Sequence, residues 1–514
     1  MDLTSRRRFK YQIFALTLIA AILRLPEIRQ ELPPFLFCDE GMFLGQVREM
    51  LSTGSWLPSD YRSGGLNIYP VLILSRVFNY FSNIFLSETS LLIFGRFIMN
   101  VCVGSAGTIA IAYATKKLSH SYRTALLAAC LYALSPGLKA FSRYWYPDHY
   151  VYALSSLFLL AIALYYEKAN WHYLFFLSGS LALVISTKYT GLFLFVPLAF
   201  FEFSHLRIQP NGILDVGNWI RSTKRLGSIF GMTIFFFLIL NPGALLRNHE
   251  FLRDWRFNLN NYGGTSNGIS GVVFYSSHLF FRSLGLSTFI LLGLGAWALR
   301  KSVIQKLLPY SIFPILIVVT FGRSGLAINR NIAIAIPFVI LISAHGLDSI
   351  ISSSIGNLKS VQKLIKTGTF VLLLTLPIME SSASFAHDLS EDSRVLANTW
   401  LDKNIPTGAS VGSNEFCSGY APISRADISL ISDPLIQQGL DWYVINSYWN
   451  SPFFNSYEVV GEQKYFHFYR FNKPRVLGFR NSIPNIASHI PNGYEIVQHF
   501  SSNGPDIIVL RKKG

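Results

Sequence analysis

Two acids stand side by side at Asp39 and Glu40, within the stretch Phe37 to Phe43, and a third, Asp148, follows Pro147 in the aromatic stretch Ser142 to Tyr150. A carboxylate within hydrogen-bond reach of a hydroxyl takes up its proton as the oxygen attacks. Three cations complete the set: Lys188 in Thr187-Lys188-Tyr189, Arg96 after Gly95, and Arg330 between Asn329 and Asn331. Each lies at an end of an apolar run. A cation at headgroup depth has phosphate as a natural partner and stabilises negative charge growing on a phosphate leaving group. Every one of these residues also has a plainer account. Acids at a helix start serve its cap and dipole, aromatics around Asp148 suit an interface belt, and a lysine at a span end snorkels.

The elements that must position these residues are membrane helices. The chain has 514 residues, 51% hydrophobic and only 14% charged, against roughly 25% charge in soluble domains. Its net charge of +16 is spread in short clusters between apolar runs, which argues for topology signals and against nucleic acid as a partner. The first run, Tyr11 to Leu25, follows Arg6, Arg7, Arg8 and Lys10 and lacks a small-residue cleavage site, so it reads as a retained helix with a cytoplasmic N-terminus. Further runs at 91 to 114, 124 to 142, 149 to 166, 171 to 187, 190 to 206, 226 to 243, 284 to 299, 307 to 322, 332 to 350 and 367 to 379 bring the expectation to about eleven spans. The basic clusters at Lys116, Lys117 and Arg123, at Lys168, at Arg207, Arg221, Lys224 and Arg225, and at Arg300, Lys301 and Lys306 then share one side with Lys359, Lys363 and Lys366. The acids and the three cations fall on the other.

Residues 66 to 86 carry Pro70, Arg76 and Asn79 and read as an interfacial helix in the first outer loop. Beyond Pro377 short alternating runs replace apolar ones. Residues 1–380 therefore form the membrane domain, and residues 381–514 a small α/β domain on the outer side. In the latter a helix over Ser393 to Asp402 precedes strands at Ser410 to Ser413, Trp442 to Asn446, Tyr465 to Tyr469 and Asp506 to Leu510. Cys102 and Cys130 lie in apolar runs and Cys38 and Cys417 outside them, with no metal-binding or disulfide spacing.

This order of features resembles the GT-C membrane glycosyltransferases, particularly protein O-mannosyltransferases and lipid A aminoarabinose or galacturonic acid transferases. The resemblance runs over nearly the whole chain and rests first on Asp39-Glu40, then on Asp148. Gly95-Arg96, Thr187-Lys188, Asn329-Arg330 and the segment Trp400 to Pro406 add to it. The chain departs from the pattern at Tyr69-Pro70, where a Pro-Pro pair is usual, and at Arg330-Asn331, where Arg-Tyr is usual. What the resemblance implies is transfer of a sugar from a polyprenyl-phosphate carrier to an acceptor hydroxyl on a lipid, glycan or protein, with inversion, at the outer face of the membrane. It gives Asp39 the role of base, Glu40 a role in orienting the loop or binding sugar, and Asp148 a place as second acid facing acceptor or sugar. Lys188, Arg96 and Arg330 would bind the donor phosphate. The Asp-Glu pair is similar to the metal-independent relatives, so no cofactor is expected, although two acids could hold a divalent ion against phosphate.

A transporter or flippase of lipid-linked sugars would also carry many spans and charges at membrane depth. Transporters, however, place polar sites near the midplane, often within internal repeats, whereas these charges gather at span ends. The absence of Asn-x-Ser/Thr sequons points weakly toward a bacterial inner membrane. The topology makes a direct prediction: single cysteines placed at Ser59 and at Ser413 react with an impermeant reagent applied to intact cells. Reaction only after permeabilisation would overturn the topology.

Overall fold

The computed structural model describes residues 3–29, 38–82, 86–140, 142, 144–204, 216–262, 268–277, 279, 290–293, 304–323, 329–354, 367–368, 371, 375–379, 382, 393–413, 429–432, 440–446, 494–500 and 507–512. The chain divides into two compact units, one comprising residues 1–25 and 45–381, the other residues 26–44 and 382–514.

The first unit is helical. Its elements are α1 (Leu3–Arg24), α2 (Cys38–Thr53, which begins in the second unit), α3 (Tyr69–Ser82), α4 (Glu88–Arg96) and α5 (Gly104–Ser119). They continue with α6 (Tyr122–Ala133), α7 (Pro136–Ala140), α8 (Val151–Glu167), α9 (Trp171–Thr187), α10 (Phe195–Ser204), α11 (Val216–Leu240), α12 (Gly243–Leu246), α13 (Asn248–Tyr262), α14 (Gly268–Ser277), α15 (Ile304–Gly322) and α16 (Ile336–Ser354). A π-helical turn, Phe97–Val103, joins α4 to α5, and 3-10 turns at Tyr189–Leu194 and Asn329–Ala335 lead into α10 and α16. Among the described residues three helices are long and apolar enough to cross a membrane: Glu88–Ser119, Gly217–Leu240 and Asn331–Ser352. Four shorter apolar helices accompany them: Val151–Glu167, Trp171–Thr187, Tyr189–Phe203 and Tyr310–Gly322.

The expected runs at 171 to 187 and 307 to 322 match their helices closely, while others differ for local reasons. The run at 124 to 142 breaks between α6 and α7, since Pro136 offers no backbone N–H to continue the ladder. Helix α11 starts ten residues before the apolar run at 226, at Val216, so Arg221, Lys224 and Arg225 belong to its first turns rather than to a loop. Helices α12 to α14 were not anticipated; α13 carries more polar than apolar side chains and gives no spanning signal. Most of the expected run at 284 to 299, and residues 369, 370 and 372 to 374 of the run at 367 to 379, lie outside the described residues. Helix α3 is buried on one side and apolar on its exposed side: Val71, Leu72 and Ser75 are buried while Ile73, Leu74, Val77, Phe78, Tyr80 and Phe81 are exposed. Its Arg76 donates to the carbonyls of Met50 at 2.9 Å and Ser55 at 2.7 Å, closing the C-terminus of α2.

Ion pairs fix which helix ends lie together. Lys117 at the end of α5 binds Glu167 at the end of α8 at 2.6 Å, and Arg123 at the start of α6 pairs with Asp348 near the end of α16. The basic clusters that end α5 and begin α6 therefore share one end of the bundle with the C-termini of α8 and α16.

At the other end the segment Gly64 to Asn67 inserts between the C-termini of α9 and α11. Gly65 N donates to Asn241 Oδ1 at 2.6 Å, and Asn241 Nδ2 donates to Ser186 Oγ at 2.7 Å. A Cβ on Gly64 would overlap the backbone carbonyl of Ser186, and one on Gly65 would lie 2.6 Å from the carbonyl oxygen of Leu240. The pair is glycine because backbone must touch backbone there.

In the second unit five strands, β1 (Ser410–Ser413), β2 (Ser429–Ser432), β3 (Trp442–Asn446), β4 (Tyr494–Phe500) and β5 (Ile507–Lys512), form one sheet in the order β2-β1-β3-β5-β4. Strand β1 runs parallel to β2 and β3, and β5 antiparallel to β3 and β4. Helix α17 (Ser393–Asn404) packs Ala397 and Leu401 with Ile405 against Val411, Val444 and Val509. This is the α/β texture read from the sequence; the strand expected at Tyr465 to Tyr469 lies outside the described residues.

The glycine contacts generate a paired expectation. Gly64→Ala forces backbone apart and costs about 1–3 kcal/mol, read as a lower melting temperature of the detergent-solubilised protein. Gly45→Ala in α2, where a Cβ meets nothing within 4 Å, leaves melting unchanged or raises it. Equal melting of the two variants would refute the close-approach account.

Candidate active site

The site grows from helix ends. Asp148 lies in the 3-10 turn Pro147–His149 just before α8, where the helix dipole favours an acid, and Lys188 follows the last residue of α9, where it favours a cation. The helix-end account of Asp148 therefore holds locally, whereas Lys188 does not snorkel, its side chain being 14% exposed. The fold adds a long-range fact: the Lys188 ammonium donates to a carboxylate oxygen of Asp148 and, at 2.8 Å, to Asn331 Oδ1. Asn331 Nδ2 in turn donates to Tyr275 Oη at 3.1 Å. Asp148 is 1% exposed, a depth at which a carboxylate needs a counter-charge, and Lys188 supplies it.

A second layer holds the pair in register, and Asn67 is its centre. The buried Asn67 side chain donates through Nδ2 to the carbonyls of Gly64 and of Thr187, both at 2.8 Å, the latter one peptide from Lys188. Its Oδ1 accepts from the Tyr150 hydroxyl, and its backbone carbonyl accepts from Trp145 Nε1 at 2.9 Å. One residue, through its side-chain amide and its backbone carbonyl, thus ties the chain on both sides of Asp148 to the chain leading into Lys188. Trp145 reaches Asn67 because Gly95 leaves room for the indole, whose nearest atom would lie 2.5 Å from a Cβ there.

The loop is held from beneath as well. Asn100 Nδ2 donates to the carbonyls of Ser142 at 3.0 Å and Tyr144 at 2.6 Å. Arg24, fully buried at the end of α1, donates from Nε to Ser142 Oγ at 3.0 Å. On the other flank, Tyr189 donates to the carbonyl of Tyr61 at 2.7 Å and Tyr61 N donates to Asp254 at 2.9 Å, bringing α13 to the same end. Burial pushes the Tyr61 phenol up, with Arg247 opposing.

Of the six residues singled out from the sequence, the structure joins Asp148 and Lys188. Arg96 is fully buried where α4 passes into the π-helical turn, its guanidinium 5.6 Å from the centre of the Tyr144 ring, so it touches the same loop. Asp39 and Glu40 occupy the first turn of α2 in the second unit, and Glu40 is fully buried. Arg330 opens the 3-10 turn that carries Asn331. The side chains of Asp39 and Arg330 lie outside the described residues. Sequence reasoning missed Asn67, Asn100 and Tyr275. The available signal for Asn67 was an amide beside a glycine pair in an otherwise apolar run. Asn331 was noted only as a departure from the Arg-Tyr pattern, yet its side chain binds Lys188.

Comparison with known proteins places this geometry in context. Residues 77–210 match the family described as dolichyl-phosphate-mannose-protein mannosyltransferase. No curated protein sequence matches the chain. Among solved structures, the fold is similar to ArnT from Cupriavidus metallidurans bound to undecaprenyl phosphate, at 12% identity, with 99% of this chain and 98% of that one covered and a TM-score of 0.53. It is also similar to the oligosaccharyltransferase of Archaeoglobus fulgidus, at 11% identity, 87% and 70% coverage and a TM-score of 0.54. A further structure of that archaeal enzyme, AglB, holds an inhibitory peptide and a dolichol-phosphate, with 11% identity, 87% and 70% coverage and a TM-score of 0.52. The family match covers residues 77–210 alone, and the fold is shared with two proteins whose structures hold undecaprenyl phosphate or dolichol-phosphate.

Proposed function

We propose that the protein transfers a sugar from a polyprenyl-phosphate carrier to an acceptor hydroxyl, with inversion, at the outer face of a bacterial inner membrane that it crosses about eleven times. The observation that carries this reading is Lys188: an ammonium held on a buried acid, at the end of the bundle away from the basic clusters. Near-complete structural overlap with a protein that binds undecaprenyl phosphate supports the choice of donor.

In the reaction the acceptor oxygen forms a bond to the sugar's anomeric carbon while the bond from that carbon to the phosphate oxygen breaks. The acceptor proton passes to the Asp39 carboxylate, and the electron pair leaves with the lipid phosphate. A single displacement of this kind inverts the anomeric centre. Lys188 meets the phosphate as its charge grows, and Arg96 and Arg330 add positive charge. Asp148 acts on the ammonium: it holds and aims Lys188, a positioning role that the ion pair supports over direct contact with acceptor or sugar. Glu40 orients the first turn of α2, which carries Asp39. The acceptor is a lipid, glycan or protein hydroxyl.

The two charge types separate experimentally. Asp39→Asn removes the proton acceptor and lowers turnover by at least about 100-fold, the low end of general-base effects, with donor retention unchanged. Lys188→Ala removes a contact that exists before reaction and strengthens during it, so donor retention and turnover both fall. Transfer of a mass-tagged sugar by purified protein, measured beside donor retention, checks both. Near-normal transfer by Asp39→Asn, or undiminished donor binding by Lys188→Ala, would remove the corresponding role.

A further inference from the structure

A cavity of about 250 Å³ opens at the opposite end of α8 from Asp148, some 25 Å away at the rise of an α-helix. Tyr165, Tyr166, Glu202, Asn218, Arg221 and Arg225 line it. One water occupies about 30 Å³, so the space holds a small polar headgroup. Its charges are arranged by sign. Arg221 and Arg225 stand one turn apart on the exposed start of α11, where residues four apart share a face. Asn218 fixes Arg221 by accepting from Nη2 at 2.6 Å. Glu202, near the end of α10, is 2% exposed and lies against the Tyr166 phenol. Its backbone carbonyl accepts from Ser222 Oγ at 3.1 Å, which binds α10 to α11 at the cavity wall.

A ligand bearing only negative charge would meet the arginines and then the carboxylate; one bearing only positive charge would have to pass the arginines. A zwitterion satisfies both, with phosphate on the guanidinium pair and ammonium on the carboxylate and the aromatic faces. The level of the cavity says where the zwitterion comes from. Trp219 and Ile220, next to Arg221, are 48% and 44% exposed, and Trp171 at the start of α9 is 62% exposed. Exposed tryptophans at helix ends mark the headgroup layer, where the abundant phosphate-bearing zwitterion is a phospholipid. We propose that this cavity binds the phosphoethanolamine headgroup of a membrane phospholipid, phosphate on Arg221 and Arg225 and ammonium on Glu202 beside Tyr165 and Tyr166.

The test uses delipidated full-length protein and native mass spectrometry. Dioleoylphosphatidylethanolamine, dioleoylphosphatidylglycerol and soluble phosphoethanolamine are titrated separately and in competition. The wild type retains the ethanolamine lipid over the glycerol lipid by about tenfold, the size of one charge-assisted hydrogen bond. Glu202→Gln removes that preference while leaving total lipid retention near normal. The double variant Arg221→Ala with Arg225→Ala, altered only at exposed positions, loses about tenfold or more in retention of both lipids. Equal or stronger retention of the glycerol lipid by the wild type, or an unchanged preference in Glu202→Gln, overturns the proposal. If soluble phosphoethanolamine displaces lipid at equal concentration, the lipid is not the ligand and the proposal fails in that respect. Should Glu202→Gln not accumulate, the arginine variant decides: undiminished retention of the ethanolamine lipid overturns the site.

Discussion

The account depends on one buried amide. Within a helix bundle built for lipid, backbone groups freed at helix ends have no bulk water to turn to and must find partners inside the protein. The C-terminus of α9 is such a place, where Asn67 donates to the carbonyl of Thr187, and the side chains of Trp145 and Tyr150 from the loop before α8 bind the same residue. A primary amide has two donors and an acceptor on one rigid plane, and here they go to Gly64, Thr187 and Tyr150. An aspartate would lose the donors and a leucine would lose everything. Because Thr187, Trp145 and Tyr150, three of the four partners of Asn67, lie near Lys188 or Asp148 in the chain, the same contacts set the charged pair in register. Stability and chemistry rest on the same hydrogen bonds, and the glycine pair at 64 and 65 exists to bring Asn67 in.

The two ends of the bundle use charge differently. At the basic end Lys117 with Glu167 and Arg123 with Asp348 are partly exposed pairs, each of the kind that contributes at most about 1 kcal/mol. Their use is to fix which helix ends are neighbours. At the other end Lys188 and Asp148 have side chains only 14% and 1% exposed, where breaking a pair strands a charge out of water and is costly. A protein gains little stability by burying such a pair. Its retention makes sense when a negatively charged group must be received there, because the protein supplies the ammonium already dehydrated and aimed.

Much of this was legible in the sequence and some was not, for physical reasons. Helices such as α8 and α9 announce themselves by long apolar runs between charges, and α17 with β1 and β3 by their change of period. The cations at the ends of apolar runs stood out because they fall on the side opposite the basic clusters, where the positive-inside bias disfavours them. Pairing of Asp148 with Lys188 could not be read, since it depends on how α8 and α9 pack and not on spacing along the chain. Asn67 was hidden for the same reason: its four partners come from three separate stretches, and a single asparagine beside two glycines resembles an ordinary loop. Helix α13 was hidden by its polarity. Asn331 shows the converse, a departure from a family pattern that marks a member of the site.

The most direct measurement is a double-mutant cycle on binding of undecaprenyl phosphate by purified protein, combining Asn67→Ala with Lys188→Ala. If Asn67 acts by holding Lys188 in place, Asn67→Ala alone weakens binding by about tenfold, the worth of a buried hydrogen-bond network centre. In the Lys188→Ala background the same change then adds nothing, giving a coupling energy of about 1.4 kcal/mol. Full additivity of the two losses, or unimpaired binding by Asn67→Ala, would contradict the account.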